Sequence, residues 1–445
     1  MSLQRDTLVL KIEKVVPRGQ GLARVEGYTI FVSGALPGER VRVRITERKR
    51  DYARAEILDI LEPSPHRVEP RCPVFPRCGG CQWQMVDYPY QLQLKAEIVR
   101  DAFAHIAGME NLPLAEVKAS PRPWHYRNKL QMPVKRIRGK LLMGFYEEGT
   151  HYVVDLDHCP VAEEALDHLI RPLKHLLASE PLTVYDEVRH FGKLRHVILR
   201  IGSQTGEILV VLVTKDWAIS RSLADKIIAL NPQQIIGVAE NRNPERTNRI
   251  LGPETRRVLG NPYYLERVLG HTFRVSAPSF FQVNTRQLEQ ILQTVREILE
   301  PGGITTLVDA YAGVGVFAIG LSDLARRVVG IEVVGPAVVD AQENIERNEA
   351  WNVEFLEGRA EDVLLTVKDM EVLLVDPPRK GLDPYLLQAV ELRKPRQVLY
   401  LSCNPSTLAR DTRRLLDLGY DLVRLQPFDM FPHTFHVETL AVFER

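Results

Sequence analysis

The last third of the chain, from about Gln282, alternates apolar strands with helices, and this alternation is its strongest constraint on the fold. Five runs are typical of buried strands: TTLVDAY, RVVGIEVV, VEFLEG, EVLLVDPP and QVLYLSC. Helical stretches at 285–299, 335–349 and 405–417 lie around and between them. The pattern predicts a parallel, doubly wound sheet that binds ligands at the carboxyl ends of its strands. Two final runs, DLVRLQPFDM and HVETLAVFER, are too close for a crossover helix and are predicted to form a hairpin.

Two other regions precede this one. Residues 7–62 contain four short strand-like runs separated by glycine turns, LVLKIEKV, YTIFVSG, RVRVRIT and ARAEILDIL, which is typical of a small β-barrel. A proline-rich linker and a cysteine cluster follow, and residues 90–108 have the pattern of an amphipathic helix. Residues 117–275 are mostly strand-like, and we interpret them as an antiparallel α+β domain.

The sequence therefore predicts a multidomain α/β protein. We place the barrel at 1–65, a central α+β domain at 66–275 and the doubly wound domain at 276–445, with the helix at 90–108 packing on the last domain.

Composition excludes several classes of protein. Of the 445 residues, 45% are apolar and 26% are charged, which rules out disorder, collagen or coiled coil over the whole chain. The net charge is +1, so no overall field attracts nucleic acid. The uncharged stretch from Ala310 to Ser322 is shorter than the roughly 18 residues of a membrane span, and the N-terminus lacks a signal-peptide pattern. We expect a soluble, cytoplasmic monomer with no membrane partner.

A glycine-rich turn follows the first strand of the doubly wound region. Gly313 and Gly315 would let the backbone approach a ligand closely, and Glu332 ends the next strand, where it could accept from ribose hydroxyls. A purely structural turn is the alternative, because two glycines alone are a weak signal. The third glycine of the dinucleotide fingerprint is missing, which favours S-adenosylmethionine over NAD.

Three reactive side chains come at or near strand ends in the same region. Asp376 follows the fourth strand, Cys403 follows the fifth, and Glu438 lies on the last. A lone cysteine is usually a small buried apolar residue, but this one precedes a helix start, where a thiolate is stabilised. Together they suit methylation of uracil C5, which needs a thiolate that adds to C6 and a base that removes the C5 proton.

Four of the five cysteines form a separate group. Cys72, Cys78 and Cys81 have the spacing C-x5-C-x2-C, and Cys159 follows 78 residues later. Four thiolates can hold Zn²⁺ or a [4Fe–4S] cluster, and both remain open on chemistry alone. The spacing slightly favours iron, because zinc sites usually contain two C-x2-C pairs.

Five stretches resemble motifs of the RNA (uracil-5-)-methyltransferases: FQVN at 281–284, DAYAGVGVF, DPPRKG, LSCNPSTLARD and FPHTFHVE. The segment 72–81, with Cys159-Pro160, resembles the iron–sulfur motif of the 23S rRNA members of that family. Residues 7–62 resemble the TRAM domain, a barrel of the OB-fold type. The resemblance covers nearly the whole chain and implies a Rossmann-like methyltransferase domain at its end.

The resemblance also implies roles for individual residues. Cys403 would be the nucleophile and Glu438 the base. The implied S-adenosylmethionine contacts are Gln282, Tyr311, Gly313, Glu332 and Asp376. The implied uracil contacts are Asp376 and Gln282, and Arg127 is a separate candidate for contact with an RNA loop. The implied ligands of a [4Fe–4S] cluster are Cys72, Cys78, Cys81 and Cys159.

The predicted substrate is a uridine of 23S rRNA, flipped out of a stem-loop. Basic residues at 48–50 with Arg42 and Arg44 are candidate phosphate contacts. Lys129 and Arg195 are further candidates in the central domain, where a merely solvated face is an equal alternative. A dual-site 23S rRNA enzyme and a tRNA T-loop enzyme are alternatives. Amino-group methylation, or a non-catalytic RNA-binding or assembly factor, would leave Cys403 and Glu438 without a role.

Overall fold

The computed structural model describes residues 6–300 and 303–445, so the predicted barrel region 1–65 begins outside the described residues. Its six strands are β1 (Thr7–Lys11), β2 (Lys14–Val16), β3 (Gln20–Val25), β4 (Tyr28–Ser33), β5 (Arg40–Arg48) and β6 (Tyr52–Glu62), in the order β1-β5-β6-β4-β3-β2. Alternate residues such as Leu8, Leu10, Val41 and Val43 are buried inside. The sequence did not predict β3, whose Gly21 leaves no room for a side chain: a Cβ would lie 2.9 Å from the Ala35 carbonyl.

A long helix connects the cysteine-containing loop to the last domain. Helix α1 (Tyr88–Ala102) begins where the Asp87 side chain accepts from the Tyr90 amide at 2.9 Å, and it continues as a π-helical turn, Phe103–Ala107. Gly108, in the left-handed conformation, ends it. Val99 and Phe103 pack into the hydrophobic core of the C-terminal sheet.

The central region is one seven-stranded sheet with two helices. Its elements are β7 (Lys129–Ile137), β8 (Lys140–Tyr146), β9 (Val153–Asp155), α2 (Glu164–Ser179), β10 (Leu194–Ile201), β11 (Ile208–Thr214), α3 (Arg221–Ala229), β12 (Ile235–Arg242) and β13 (Glu254–Gly260). The order is β13-β12-β11-β10-β7-β8-β9. The prediction of an antiparallel sheet is wrong at one pair, since β11 and β12 run parallel and α3 forms the crossover between them.

A hairpin, β14 (Tyr263–Val268) and β15 (His271–Ser276), and helix α4 (Thr285–Leu299) lead into the C-terminal sheet. That domain contains β16 (Ile304–Ala310), α5 (Val316–Gly320), β17 (Ala325–Glu332), α6 (Gly335–Arg347), β18 (Val353–Glu357), α7 (Ala360–Val363), β19 (Val372–Val375), α8 (Pro384–Arg393), β20 (Gln397–Ser402), α9 (Pro405–Asp417), β21 (Asp421–Phe428) and β22 (Glu438–Glu444).

The strand order in the C-terminal sheet is β18-β17-β16-β19-β20-β22-β21. The first five strands run parallel, and β22 pairs antiparallel with both β20 and β21. The parallel sheet and the closing hairpin are therefore confirmed. Successive residues of β16 enter cores on opposite faces, Leu307 on one and Val308 on the other, and each such buried side chain stabilises the fold by about 1.5–3 kcal/mol.

Within the described ranges, every helix is too short or too polar to cross a bilayer.

Candidate active site

Antiparallel pairing brings the predicted nucleophile and base together. The ladder between β20 and β22 ends at the pair Ser402–Thr439, and the next residues outward are Cys403 and Glu438. Asn404 then caps α9, its side chain accepting from the Ser406 amide at 3.2 Å, so the chain turns sharply after the thiol. Glu438 is 2% exposed, and its Oε1 has no hydrogen-bond partner among the described residues.

A second carboxylate lies beside this pair. Asp376 directly follows β19, and the Gln282 amide donates to its Oδ2 at 3.2 Å. Asn128, just before β7, holds Gln282 from behind by donating to its backbone oxygen at 2.9 Å. Four predicted residues, Gln282, Asp376, Cys403 and Glu438, are thus gathered at the carboxyl edge of the sheet.

Burial dominates the electrostatics of this group. It raises the pKa of Glu438, and the nearby Asp376 raises it further. Desolvation likewise raises the pKa of Asp376, which the Gln282 hydrogen bond opposes. The pKa of Cys403 rises to about 11, mainly through burial and the negative charge of Glu438, while the Arg379 guanidinium acts in the opposite direction. The site therefore contains three groups that resist ionisation and one cation beside the thiol.

Tyr311 and Glu332 line a separate cavity of about 430 Å³, together with residues from the ends of β17, β18 and β19. Gly313 lies in the left-handed region at φ +56°, and its amide donates to Glu332 Oε2 at 2.8 Å. The Val334 amide donates to the other oxygen at 2.7 Å, so both oxygens of Glu332 are oriented by backbone. The Tyr311 hydroxyl donates to Glu361 at 3.1 Å. Gln282 and Asp376 are not among the residues that line this cavity.

The four clustered cysteines line one cavity of about 270 Å³. The loop that carries Cys78 packs closely on the end of β8, since a Cβ on Gly79 would lie 2.9 Å from the Tyr146 carbonyl. Burial raises the pKa of Cys81 and of Cys159 to about 12 each. In residues 6–300 and 303–445, no three His, Cys, Asp or Glu side chains are close enough to hold a single metal ion.

The predicted RNA contacts have different surroundings. Arg127 lines the cysteine cavity, with its Nε donating to the Lys129 carbonyl at 2.9 Å. Arg195 is buried, and its guanidinium donates to the carbonyls of Asn243 and Glu245, so its predicted exposure to RNA is wrong. Burial lowers the pKa of Lys129 to about 7. On the barrel, Arg42 pairs with Asp59 and Arg44 with Glu56 at the surface.

Sequence reasoning missed several residues around the site. Arg379 was inside a quoted motif, and its place directly after the Asp376-Pro-Pro turn was a usable signal. Gln91 and Lys95 are fully buried, one helical turn apart on α1, beside the apolar Leu94. Polar residues on the apolar face of a predicted helix were the available signal for these two.

Comparison with known proteins gives the family. The profile described as tRNA (Uracil-5-)-methyltransferase matches residues 265–370 and 358–445, and the TRAM domain profile matches residues 2–58. An RNA methyltransferase of Gloeobacter violaceus, named as uncharacterised, is 41% identical over 100% of this chain and 97% of its own length. Another from Halalkalibacterium halodurans, also named as uncharacterised, is 39% identical over 99% of this chain and 97% of its own length.

Among solved structures, the Pyrococcus abyssi tRNA (uracil-54, C5)-methyltransferase in complex with S-adenosyl-L-homocysteine matches with a TM-score of 0.78 and 29% identity. That match covers 98% of this chain and 100% of the archaeal one. The similarity thus extends over the barrel, the central sheet and the C-terminal sheet together. With a TRAM domain at its N-terminal end, this chain belongs to the RNA methyltransferase family typified by the tRNA (uracil-5-)-methyltransferases.

Proposed function

We propose that this protein transfers a methyl group from S-adenosylmethionine to C5 of a uridine in RNA. The observation that carries the proposal is the placement of Cys403 and Glu438 just beyond the last pair of the β20–β22 ladder, with Asp376 at the same edge. C5 methylation of uracil requires a nucleophilic thiol and a base, for which Cys403 and the buried Glu438 are available, and Asp376 adds a carboxylate that can bind the uracil edge.

The cavity beside Tyr311 fits the nucleoside part of the methyl donor. Glu332 at the end of β17 and Glu361 in the first turn of α7 supply carboxylates, which suits the hydroxyl and amino donors of an adenosine. A Cβ on Gly313 would meet nothing within 4 Å, so the turn is open on that side. When bound, S-adenosylmethionine supplies an electrophilic methyl group on a sulfonium.

Cys403 begins the reaction as a thiolate that adds to uracil C6. The S–C6 bond forms and the C5–C6 π electrons shift towards C5 and the adjacent carbonyl, which makes C5 nucleophilic. C5 would then accept the methyl group, and the electron pair of the broken methyl–sulfur bond would stay on the sulfur of the donor. Glu438 removes the C5 proton, the C5–H electron pair restores the C5–C6 double bond, and the thiolate leaves. The pKa of Glu438, raised by burial, favours this proton acceptance.

Asp376 and Gln282 orient the base in this scheme. An Asp376 carboxylate accepts an N–H of the uracil edge, and the Gln282 amide, already donating to Asp376 at 3.2 Å, fixes the direction of that carboxylate. We propose that Arg127, which lines the neighbouring cavity, contacts a phosphate or base of the same RNA segment.

We further propose that Cys72, Cys78, Cys81 and Cys159 hold a [4Fe–4S] cluster in a central iron–sulfur domain. All four line one cavity, and the donor set is sulfur alone. A cluster binds its thiolates through different irons, so they need not converge on one point as the ligands of a single Zn²⁺ must. Anaerobic purification followed by iron, sulfide and zinc analysis tests this: iron and sulfide in equal amounts are expected, and zinc alone would contradict it.

The substrate we propose is 23S rRNA, at one uridine or two, because segment 72–81 resembles the cysteine motif of the 23S rRNA enzymes. A tRNA is the second candidate, since the full-length structural match is to a tRNA enzyme. Because that match includes the N-terminal barrel, the barrel does not discriminate between the two substrates.

Mass mapping of 23S rRNA and bulk tRNA from cells with and without the gene separates these substrates. Loss of one or two 5-methyluridines from 23S rRNA is the expected result. Loss confined to the tRNA T-loop would establish the second candidate. If both RNAs keep all their 5-methyluridines in a strain with no second enzyme for the site, the uracil-methylation proposal is wrong.

A further inference from the structure

The residues between β21 and β22 decide where Glu438 lies. This loop, 429–437, is closed by the pair Phe428–Glu438, so Glu438 is the first residue after it. The loop is largely buried, and His433 at its centre has a left-handed backbone, with φ +65°. Because that conformation is costly for a residue with a side chain, contacts from outside the loop must maintain it.

Those contacts come from the cysteine-containing loop and from α1. The amides of Gln82 and Trp83, directly after Cys81, both donate to the His433 carbonyl, at 3.0 and 2.9 Å. On the other side of the same residue, the His433 amide donates to Gln91 Oε1 at 2.8 Å. Both backbone groups of His433 are thus held by residues far away in sequence.

Gln91 contacts both the segment after Cys81 and the loop that contains His433. It is fully buried, and its Nε2 lies 3.2 Å from the Trp83 carbonyl, 2.9 Å from the Val86 carbonyl and 3.1 Å from His433 Nδ1. One amide side chain therefore fixes both the loop that follows Cys81 and the loop that precedes Glu438. One turn further along α1, Lys95 pairs with Asp429 and donates to the Phe431 carbonyl at 3.0 Å.

We propose that Gln91 is a positioning residue for the general base, acting through His433 on the loop that presents Glu438. The inference rests on the proposed function of Glu438 and adds a residue that touches neither RNA nor methyl donor. Its consequence is selective: addition of Cys403 and methyl transfer precede the use of Glu438, so displacement of this loop slows proton removal most.

The experiment measures the two steps separately. RNA carrying [5-³H]uridine, transcribed as 23S rRNA and as tRNA, is incubated with the full-length enzyme and S-adenosylmethionine labelled with ¹⁴C in its methyl group. Tritium released into water reports proton removal, and ¹⁴C reports methyl transfer, including methyl trapped in a denaturation-resistant protein–RNA adduct. Wild-type enzyme releases one tritium per methyl, and Glu438→Gln accumulates the adduct.

For Gln91→Leu we expect the same adduct, with tritium release slowed about 100-fold and the first methyl transfer much less affected, since a displacement of about 1 Å has effects of this size. The matched control is Asn241→Leu in the central sheet. Asn241 is also fully buried, and it makes four hydrogen bonds, to Gly252, Glu254 and Thr255. The Asn241→Leu variant should be less stable than the wild type, but its tritium release should still equal its methyl transfer.

The conservative variant Gln91→Glu keeps the acceptor for the His433 amide and loses the donors to the Trp83 and Val86 carbonyls, so an intermediate ratio is expected. If Gln91→Leu does not fold, the ratio of tritium release to methyl transfer in Gln91→Glu tests the positioning role instead. If the Gln91 variants release tritium and transfer methyl groups at equal rates, the positioning role of Gln91 is wrong and the proposed function still stands. A Glu438→Gln enzyme without an adduct, or a wild-type enzyme inactive on both RNAs, would overturn the proposed function and this inference with it.

Discussion

The candidate reaction centre and the cysteine cavity are neighbours that both contain cysteine thiols, in different surroundings. Cys403 is a single thiol facing Glu438, with Arg379 as the cation beside it. The other four thiols share one cavity, where burial and the mutual charge of the thiols raise the pKa values of Cys81 and Cys159. Burial thus raises thiol pKa values in both places, and the neighbouring groups distinguish the proposed nucleophile from the proposed set of ligands.

The candidate reaction centre and the cysteine cavity share residues that lie between them. Arg379, Phe431 and His436 line the cysteine cavity, and Arg379 also acts on the Cys403 thiol. Reactivity at one site and stability at the other can still be separated, because no clustered cysteine lies on the strands that present Cys403 and Glu438. Substitutions at the candidate reaction centre and in the cysteine cavity test whether reactivity and stability are separate.

The largest effect is expected for Cys403→Ala. Removal of the nucleophile should lower methylation of uridine by about 10⁶-fold, as it does in other enzymes that act through a covalent intermediate. Incorporation of labelled methyl groups into RNA measures it. The iron content and the thermal unfolding midpoint should match the wild type, because Cys403 lies just beyond the end of β20 and outside the cysteine cavity.

Methylation that survives in Cys403→Ala would contradict the C5 mechanism. It would indicate amino-group methylation through the Asp376-Pro-Pro segment instead, a chemistry that needs no thiol. Mass analysis of the methylated nucleoside distinguishes these products, since 5-methyluridine and an N-methylated base fragment differently.

The next effect is expected on stability, for Cys81→Ala. Loss of one ligand should remove the iron and lower the free energy of unfolding by about 3 kcal/mol, the value for a ligand present at roughly 100 times its dissociation constant. Urea denaturation under anaerobic conditions measures the change. Methylation per folded molecule should fall far less than in Cys403→Ala, because Gln82 and Trp83 keep their bonds to His433.

Chelation of iron from the wild-type protein is the matched control for Cys81→Ala. It should produce the same loss of stability, and the variant should not respond to the chelator. If the variant keeps the wild-type iron content and unfolding curve, the four cysteines are not the ligands of a cluster.

The fold was predictable where periodicity is strong. Buried strands of four to eight residues between amphipathic helices defined the C-terminal sheet, and α4 and α9 have the predicted bounds. Strand β3 and the parallel pair β11–β12 were missed for physical reasons. Gly21 weakens the strand signal of β3, and the direction of a strand depends on tertiary pairing that a local pattern does not record.

The site was predictable to a similar degree. Strand ends located Cys403 and Asp376, and antiparallel pairing of β22 then brought Glu438 to the same edge. The contacts that hold Glu438 in place were not predictable, because His433 and Gln91 are 342 residues apart. The prediction for Arg195 was wrong for a different reason. A charged residue in a strand is expected to be exposed, but the Arg195 guanidinium is buried and donates to the carbonyls of Asn243 and Glu245.

The smallest effect, and the sharpest test of the comparison, is expected for Arg379→Gln. Burial and Glu438 raise the pKa of Cys403 to about 11 even though the Arg379 guanidinium acts in the opposite direction. Without this cation the pKa rises further, and each unit reduces the thiolate fraction about tenfold at a fixed pH below it. We expect kcat/KM to fall about tenfold, with the rising limb of its pH profile moved to higher pH.

Arg379→Lys is the matched variant, since it keeps the charge and should restore most of the rate and the position of the limb. The backbone is not expected to move in either variant, because Asn404 and Thr407 hold the Arg379 carbonyl, not its side chain. A uniform loss of rate with an unchanged pH profile would show that Arg379 binds RNA without activating the thiol. If the rising limb of the pH profile shifts in Arg379→Gln and returns in Arg379→Lys, the positive charge at position 379 activates Cys403. That activation would distinguish the Cys403 thiol from the clustered cysteines.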